Sequence, residues 1–194
     1  MKAKTIKWVV AAVVMVALAP AAARADSFVI DPDYTLVQFR IKHPAGYAGG
    51  NIQTFAGTIE TDKKGALAKI SGTAEVNSIN TSEAERDEVL KSEDFFDAAK
   101  YPQIKLDSKK VGKDQIKFSL TMKGITKDVT MSYQLHGYAI DQFGRHKIAL
   151  TIKGTVNRQD FGVAKGDEAD PARKYLDDNI ELWIRMQGIL KADM

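Results

Sequence analysis

Residues 115–124 read QIKFSLTMKG and alternate strictly between apolar and polar side chains. The apolar members are Ile116, Phe118, Leu120 and Met122, which a β-strand places on a single face. Lysine, serine and threonine occupy the positions between them, and a glycine follows at the end. This period of two predicts a strand with one buried face and one face in water.

The same alternation recurs along most of the chain. Short turn signals, such as Lys63-Lys64-Gly65, separate most of the alternating segments, which is typical of antiparallel neighbours. About eight strands in one all-β domain predict an eight-stranded antiparallel β-barrel, which has no exposed edges, or a two-sheet sandwich. The other alternating segments are 35–43, 55–62, 69–79, 103–110, 128–137, 146–156 and 179–190.

One segment breaks the alternation and predicts a short helical insertion, at residues 81–99. Ser82 is the predicted N-cap, with Glu85 as its capping-box partner. Phe95 and Phe96 stand side by side in this charged segment, so we expect the insertion to fold across a barrel mouth and bury both rings. Anchoring of the insertion is favoured over direct contact with a ligand. Loops are expected at 45–51, which is rich in glycine, and at 161–178, which is rich in charge.

The first 25 residues read MKAKTIKWVVAAVVMVALAPAAARA. Three lysines precede the apolar run Val9–Ala19, which is too short for a membrane-spanning helix of about 20 residues. Ala23-Arg24-Ala25 fits a small-residue cleavage site. The pattern predicts a secretory signal peptide at 1–25 and an exported mature domain at 26–194.

The charge of the predicted mature domain is nearly balanced. The leader holds four basic residues and no acidic one, which leaves 24 basic and 25 acidic residues after residue 25. This balance does not favour nucleic acid or an anionic membrane as a partner. The chain has no cysteine, so an exported domain must rely on its core rather than on disulfide bonds.

No catalytic fingerprint is recognisable in the sequence, and no enzyme, cofactor or metal site is predicted. The histidines at 43, 136 and 146 lack metal-type spacing. His43 ends a strand and is interpreted as structural or as a polar group at a barrel mouth. Arg86 and Arg158 lie near strand ends, where they form ion pairs or bind an anionic head group.

Five stretches of the sequence carry a resemblance to a known family: IDPDYTLVQFRIKH (30–43), FAGTIETD (55–62), NSINTSEAERDEVLKSEDFFDAAKYPQIKLDS (77–108), LTMKGITKDVTM (120–131) and VNRQDFGV (156–163). Together they resemble the YceI-like family of periplasmic proteins, over about residues 28–190. The resemblance implies a lipocalin-like β-barrel with a long hydrophobic lumen, in a family known for binding amphiphiles such as polyisoprenoids.

The chain departs from the family pattern at two places. Tyr34 and Thr35 stand where the family usually has a His-Ser pair, and Ile52 stands where an aromatic residue is common. Small residues on the predicted inward face, such as Gly72 and Gly154, have two interpretations. They let the barrel wall bend, or they leave room for a guest.

The predicted function is a periplasmic binding protein that sequesters or carries a polyisoprenoid, an isoprenoid quinone or a fatty-acyl lipid. Burial of such a chain gains about 0.8 kcal/mol per CH₂ group. The alternatives are a filled barrel that serves as a protein-interaction module and a lipid-modifying enzyme with His43 or Tyr34 as acid or base. A transient contact with a membrane or a membrane redox protein is expected, for a monomer or a homodimer. The predicted ligand-binding residues are Phe39, Ile41, His43, Phe55, Ile59, Ile70, Arg86, Phe95, Phe96, Phe118, Leu120, Ile152, Arg158, Phe161, Ile184 and Met186.

Overall fold

The computed structural model describes residues 25–163 and 176–194. The predicted leader up to residue 24 and residues 164–175 of the predicted charged loop lie outside the described residues. Within the described ranges, no helix is long and apolar enough to cross a membrane.

The described residues form eleven strands, one α-helix and short 3₁₀ turns. The α-helix, α1, spans Ala84–Lys91. The strands are β1 (Ser27–Ile30), β2 (Leu36–His43), β3 (Gly46–Ile52), β4 (Phe55–Thr61), β5 (Leu67–Glu75), β6 (Ile79–Asn80), β7 (Gln103–Val111), β8 (Gln115–Met122), β9 (Ile125–Ile140), β10 (His146–Asn157) and β11 (Asn179–Leu190).

The strands close into an antiparallel barrel. Strands β4, β5, β7, β8, β9, β10 and β11 pair in that order, and β1 pairs with both β4 and β11 to complete a ring of eight. Three further strands continue the wall beyond short breaks in the chain: β2 continues β1, β3 continues β4, and β6 continues β5. In this part of the wall, β2 pairs with β11, β3 pairs with β2, and β6 pairs with β3. The barrel prediction is therefore confirmed, and the sandwich alternative is excluded.

The alternation read from the sequence sets the two faces of the wall. Along β8, Ile116, Phe118, Leu120 and Met122 are buried, while the residues between them are exposed or half-buried. Inward-facing side chains fill the end of the barrel that contains β1, where Phe28, Ile59, Ile70 and Ile148 are at most 2% exposed. Because this end is packed solid, any internal space must lie farther toward β2 and β3.

The segment at 45–51 is a strand rather than the predicted loop. Strand β3 pairs residue by residue with β2, from His43 opposite Gly46 to Val37 opposite Ile52. Its glycines add no apolar side chains to an alternating pattern, so the sequence gives no signal for a strand in this segment. A Cβ atom at Gly50 would lie 2.5 Å from the carbonyl oxygen of Asn80, which explains why the close β3–β6 pairing requires glycine.

The helical insertion is confirmed, but the predicted cap is wrong by one residue. The N-cap of α1 is Glu83, whose carboxylate accepts the N–H groups of Glu85 at 3.0 Å and Arg86 at 2.7 Å. Ser82 instead adopts a positive φ of 61°, a left-handed conformation outside the helix. The Glu83 carboxylate thereby satisfies two of the free N–H groups of the first turn.

A 3₁₀ turn at Pro32–Tyr34 interrupts the wall between β1 and β2. The Thr35 hydroxyl group accepts the N–H of Gln187 at 3.0 Å, and the Asp31 N–H donates to the Gln187 carbonyl at 2.9 Å. On the outer side, the Lys147 ammonium pairs with the Asp31 carboxylate. Both side chains of this pair are less than 10% exposed. A buried ion pair therefore connects Asp31, at the break between β1 and β2, to Lys147 on β10.

Candidate functional site

An apolar cavity of about 120 Å³ lies inside the barrel, among the inward faces of β2, β5, β7, β8 and β11. Among the described residues, Thr35 and Thr73 are the polar members of its lining, and no charged side chain belongs to it. The Thr35 hydroxyl is already engaged by the backbone of Gln187. The cavity therefore suits a hydrocarbon group and offers no partner for a charged head group.

The structure places part of the predicted ligand-binding set at this cavity. The predicted residues that line it are Phe55, Leu120, Ile184 and Met186. Ile59, Ile70, Phe118, Ile152 and Phe161 are at most 1% exposed and fill the barrel beside it. Ile41 is half-buried near the end of β2. Ligand contact by these residues stays a prediction.

Sequence reasoning missed several inward residues that line the cavity. Their signal is the alternation itself, because each lies on the inward face of a predicted strand or extends one. The alternation does not say which inward residues face a void and which face a neighbour. The lining residues outside the predicted ligand-binding set include Val37, Ile52, Ile104, Met122, Met131 and Leu182. Gly72 and Ala74, two of the small inward residues, line the cavity as well.

The inward glycines have different roles. A Cβ atom at Gly154 would lie 2.5 Å from Cγ of Met131, and one at Gly188 would lie 2.9 Å from Cβ of Phe28. Those two glycines therefore make room for neighbouring side chains, not for a guest. A Cβ atom at Gly72 would lie 3.3 Å from the carbonyl oxygen of Ala56, with no other described atom within 4 Å apart from Gly72 and its two chain neighbours, and this residue lines the cavity.

A second hydrophobic cluster closes the cavity at the end opposite to β1. Its buried members are Val76, Ile79 and Ala98, with Phe39, Ile52, Leu90, Phe96 and Ile104 packed against them. Ile52 and Ile104 also line the cavity, so the two features adjoin. This cluster, together with α1 and the segment up to Pro102, is called the cap below.

Phe95 and Phe96 anchor the cap. Phe95 packs against the main core, and Phe96 packs against both the main core and the cap cluster. Neither ring lines the cavity. Their adjacency is explained by the irregular segment that follows α1, where the Phe96 N–H donates to the Leu90 carbonyl and the chain turns inward.

Arg86 and Asp87 stabilise the start of the cap through hydrogen bonds to Thr81. They do not form an open site for an anion. Arg86 Nε donates to the Thr81 hydroxyl at 2.9 Å, and its Nη2 donates to the Thr81 carbonyl at 2.8 Å. The Asp87 carboxylate accepts both the N–H of Thr81 at 2.8 Å and its hydroxyl group. These bonds fix the turn between β6 and α1.

Acid should weaken this turn. The Thr81 hydroxyl bond lowers the pKa of Asp87 below its ordinary value of 3.8, helped by the Thr81 N–H. A lowered folded-state pKa gives a stabilisation that is complete above the unfolded value and lost as pH falls through the folded value. Between about pH 5 and pH 2, we expect stability to fall less steeply for Asp87→Asn than for the parent, measured by urea denaturation. Equal slopes would contradict this role; Glu88→Gln is the control.

Arg158 forms an ion pair, as one of its two interpretations predicted, although its side chain is buried rather than on the surface. Its side chain is 6% exposed, and Nη2 lies 2.9 Å from the Asp178 carboxylate. Nε and Nη1 donate to the carbonyl groups of Asp177 and Val163 at 3.1 and 3.2 Å. His43 is likewise structural in its contacts, because its Nδ1 accepts the N–H of Ala45 at 3.3 Å.

The resemblance motifs meet at the cap end of the barrel. The Tyr101 ring packs so closely on Gly124 that a Cβ atom there would lie 2.6 Å from Cε1, and Gly124 has a positive φ of 74°. The neighbouring Lys123 ammonium donates to the carbonyl groups of Glu93 at 2.7 Å and Gly162 at 3.3 Å. The motif residues therefore close one end of the barrel.

The other candidates for chemistry are dispersed. No group of three or more His, Cys, Asp or Glu residues that could hold a metal ion occurs within residues 25–163 and 176–194. Tyr34 is 58% exposed on the outer side of the wall, where Lys147 Nζ lies 4.5 Å from its ring centroid. The departure from the family's His-Ser pair therefore changes the outer surface at Tyr34 and the cavity lining at Thr35.

The architecture defines a class: an up-and-down eight-stranded barrel, filled at one end, capped at the other, with an apolar cavity between. The YceI-like domain matches residues 28–188. The chain is 33% identical over 186 residues to a UPF0312 protein of Pectobacterium atrosepticum, covering 92% of this chain and 93% of that one. The chain therefore belongs to the YceI-like family, as the sequence motifs predicted.

Solved structures share the fold. The crystal structure of the Campylobacter jejuni YCEI protein superposes with a TM-score of 0.66 at 28% identity, over 73% of this chain and 84% of that chain. A polyisoprenoid binding domain from Saccharophagus degradans, implicated in plant cell wall breakdown, gives a TM-score of 0.64 at 13% identity. It covers 84% of this chain and 98% of that chain, and at this identity the likeness concerns the fold.

Proposed function

We propose that this protein is an exported carrier that holds the hydrocarbon chain of an isoprenoid-like or acyl lipid inside the barrel. The observation that carries the proposal is the apolar cavity inside the barrel, whose lining among the described residues includes no charged side chain. Each CH₂ group moved from water into such a cavity gains about 0.8 kcal/mol. A protein of the same fold is described as a polyisoprenoid binding domain, which supports an isoprenoid as one ligand class.

The cavity must widen to take a long chain. At about 120 Å³ it is smaller than a cavity of ~150 Å³ that holds one benzene molecule. Four methionines follow residue 25, and three of them, Met122, Met131 and Met186, line the cavity. Methionine is unbranched and adapts to irregular space. We therefore assign these three side chains as the part of the lining that yields to a lipid.

The direct test is binding of defined lipids to delipidated protein. Native mass spectrometry with a polyprenol, an isoprenoid quinone and a palmitate probe should show one lipid per chain for at least one of them. A head group should stay outside the apolar cavity, so probes that share a chain and differ in head group should bind with similar affinity. Failure of the whole panel to bind would overturn the proposal.

Filling the cavity should block binding without harming the fold. We expect Gly72→Leu to lower lipid affinity at least about ten-fold, because the new side chain enters the cavity and takes the space of the ligand. The melting temperature should stay the same or rise, since the added side chain buries apolar surface. Ser71→Leu, which adds the same side chain to the outward-facing neighbour, is the matched control. Undiminished binding by Gly72→Leu would place the lipid elsewhere.

Location in the periplasm is part of the proposal and rests on the leader sequence 1–25. Fractionation of cells that express the full chain should recover a periplasmic protein that begins at Asp26. Recovery of the uncleaved chain in the cytoplasm would contradict export. That the protein has no enzymatic activity also remains a prediction.

A second candidate function is a protein-interaction module. The observation that favours it is the solid packing of one barrel end, next to exposed apolar side chains on the β9–β10 hairpin. Phe143 is 71% exposed and Ile140 is 64% exposed. Retention of partner binding by Gly72→Leu, together with its loss in Phe143→Ser, would favour this function over the carrier.

A further inference from the structure

A second groove, of about 810 Å³, lies on the outer face of the barrel wall across β3, β2, β11 and β10. Gln38, Arg40, Glu181, Trp183 and Lys153 line it. These side chains face outward, because the residues that alternate with them on the same strands face the core. The groove therefore lies on the opposite face of the wall from the apolar cavity, although Leu182 contributes to both linings, and it is independent of the lipid proposal.

Trp183 lies in this groove beside two cations. Its side chain is 48% exposed, unusual for the largest apolar side chain. Lys153 Nζ lies 4.6 Å and Arg185 Cζ 5.7 Å from its ring centroid. Within the described part of the chain, neither Lys153 nor Arg185 forms an ion pair with a carboxylate. An exposed ring flanked by uncompensated cations indicates a ligand that is both flat and anionic.

A second exposed aromatic ring extends the surface along the wall. Tyr47 is 52% exposed, and Arg40 Cζ lies 4.4 Å from its ring centroid. The strand register puts Arg40, paired with Glu181 at 2.7 Å, between Tyr47 and Trp183. From strand spacing and rise, the Cα atoms of Tyr47 and Trp183 are about 16 Å apart. An extended ligand can therefore contact both.

Two amide side chains lie in the groove in the same row as Trp183, because Gln38 is paired with Trp183 and Asn51 is paired with Gln38. Gln38 Oε1 accepts a hydrogen bond from Arg185 Nη2 at 3.3 Å. Asn51 Oδ1 is buried without a hydrogen-bond partner among the described residues. A buried acceptor that is left unsatisfied is unfavourable by about 1–3 kcal/mol. Rotation of this carboxamide toward a hydroxyl donor in the groove would satisfy it.

We infer that this outer groove binds an extended acidic glycan, a sugar chain that bears carboxylate or sulfate groups. Sugar rings present C–H groups to the exposed parts of the Trp183 and Tyr47 rings that the cations leave uncovered, hydroxyl groups to the amides, and anionic groups to Lys153 and Arg185. A lipid chain would leave the polar lining unpaired, and a flat bilayer surface does not fill a concave groove.

The fluorescence of Trp183 can report directly on glycan binding. The chain has two tryptophans, Trp8 and Trp183, so Trp183 is the single one in the chain from Asp26 onward, which contains every described strand. Titration with oligogalacturonate and with a heparin oligosaccharide should change its fluorescence, and the stronger of the two identifies carboxylate or sulfate as the preferred group. A neutral cello-oligosaccharide should bind at least about ten-fold more weakly.

Variants then locate the site by calorimetry. Trp183→Ala should weaken acidic-glycan binding about ten-fold, and Lys153→Gln with Arg185→Gln should weaken it and flatten its salt dependence. Lys69→Gln, an exposed lysine on β5, should leave it unchanged. Equal binding of the neutral sugar, no binding of either acidic sugar, or no effect of Trp183→Ala would overturn the inference. So would self-association of the chain that Trp183→Ala abolishes, because a second copy would then occupy the groove.

Discussion

Replacing Lys147 with methionine is expected to lower the free energy of unfolding by about 3–5 kcal/mol, because it leaves the Asp31 carboxylate buried without its cation. The Lys147 side chain is 9% exposed and that of Asp31 is 6% exposed. Lys147 Nζ also lies 3.9 Å from the Asp141 carboxylate and 4.5 Å from the Tyr34 ring centroid. Urea denaturation followed by circular dichroism measures the loss.

Two further variants separate a buried charge from a lost side chain. Asp31→Asn combined with Lys147→Met should recover much of the loss, because neither charge is then buried. Lys69→Met removes an exposed partner of Glu60, 3.7 Å away, and should change stability by less than about 1 kcal/mol. A Lys147→Met protein as stable as the parent would show that the pair does not hold the break between β1 and β2.

The barrel was predictable from the sequence because most of its wall is water-facing on one side and packed on the other. Where both faces leave a signal, as along β8 and β11, the strand follows directly from the period of two. Strand β3 was not predictable, because Gly46, Gly49 and Gly50 carry no side chain to alternate. Its strand character comes from pairing with β2, a tertiary contact.

The cavity was less predictable than the wall around it. Phe55 and Ile59 lie on the same face of β4, yet Phe55 lines the cavity and Ile59 is fully buried beside it. The difference depends on how far along the barrel each residue lies, which alternation does not encode. Arg158 illustrates the same limit for charge, because its carboxylate partner Asp178 is twenty residues away along the chain. A sequence pattern gives the face of a residue, whereas its neighbours across the barrel decide its role.

Replacing Phe96 with alanine is expected to lower the free energy of unfolding by about 3 kcal/mol, because its ring packs against both the main core and the cap cluster. The loss of stability should appear first as local unfolding of the cap. Hydrogen exchange should show reduced protection in α1 and in residues 92–102, while β8 and β10 remain protected. Phe143→Ala, at a ring that is 71% exposed, should change stability by less than about 0.5 kcal/mol.

The same variant distinguishes the two roles that the sequence left open for this ring. If Phe96 anchors the cap, lipid affinity measured well below the melting temperature should stay within about two-fold of the parent, since the ring does not line the cavity. If the ring instead contacts the ligand, affinity should fall while exchange in α1 stays unchanged. Because the cap cluster shares Ile52 and Ile104 with the cavity lining, loosening of the cap should also speed exchange of a bound lipid. Faster exchange of the bound lipid, at nearly constant lipid affinity, would identify the cap as the side of the barrel through which the lipid passes.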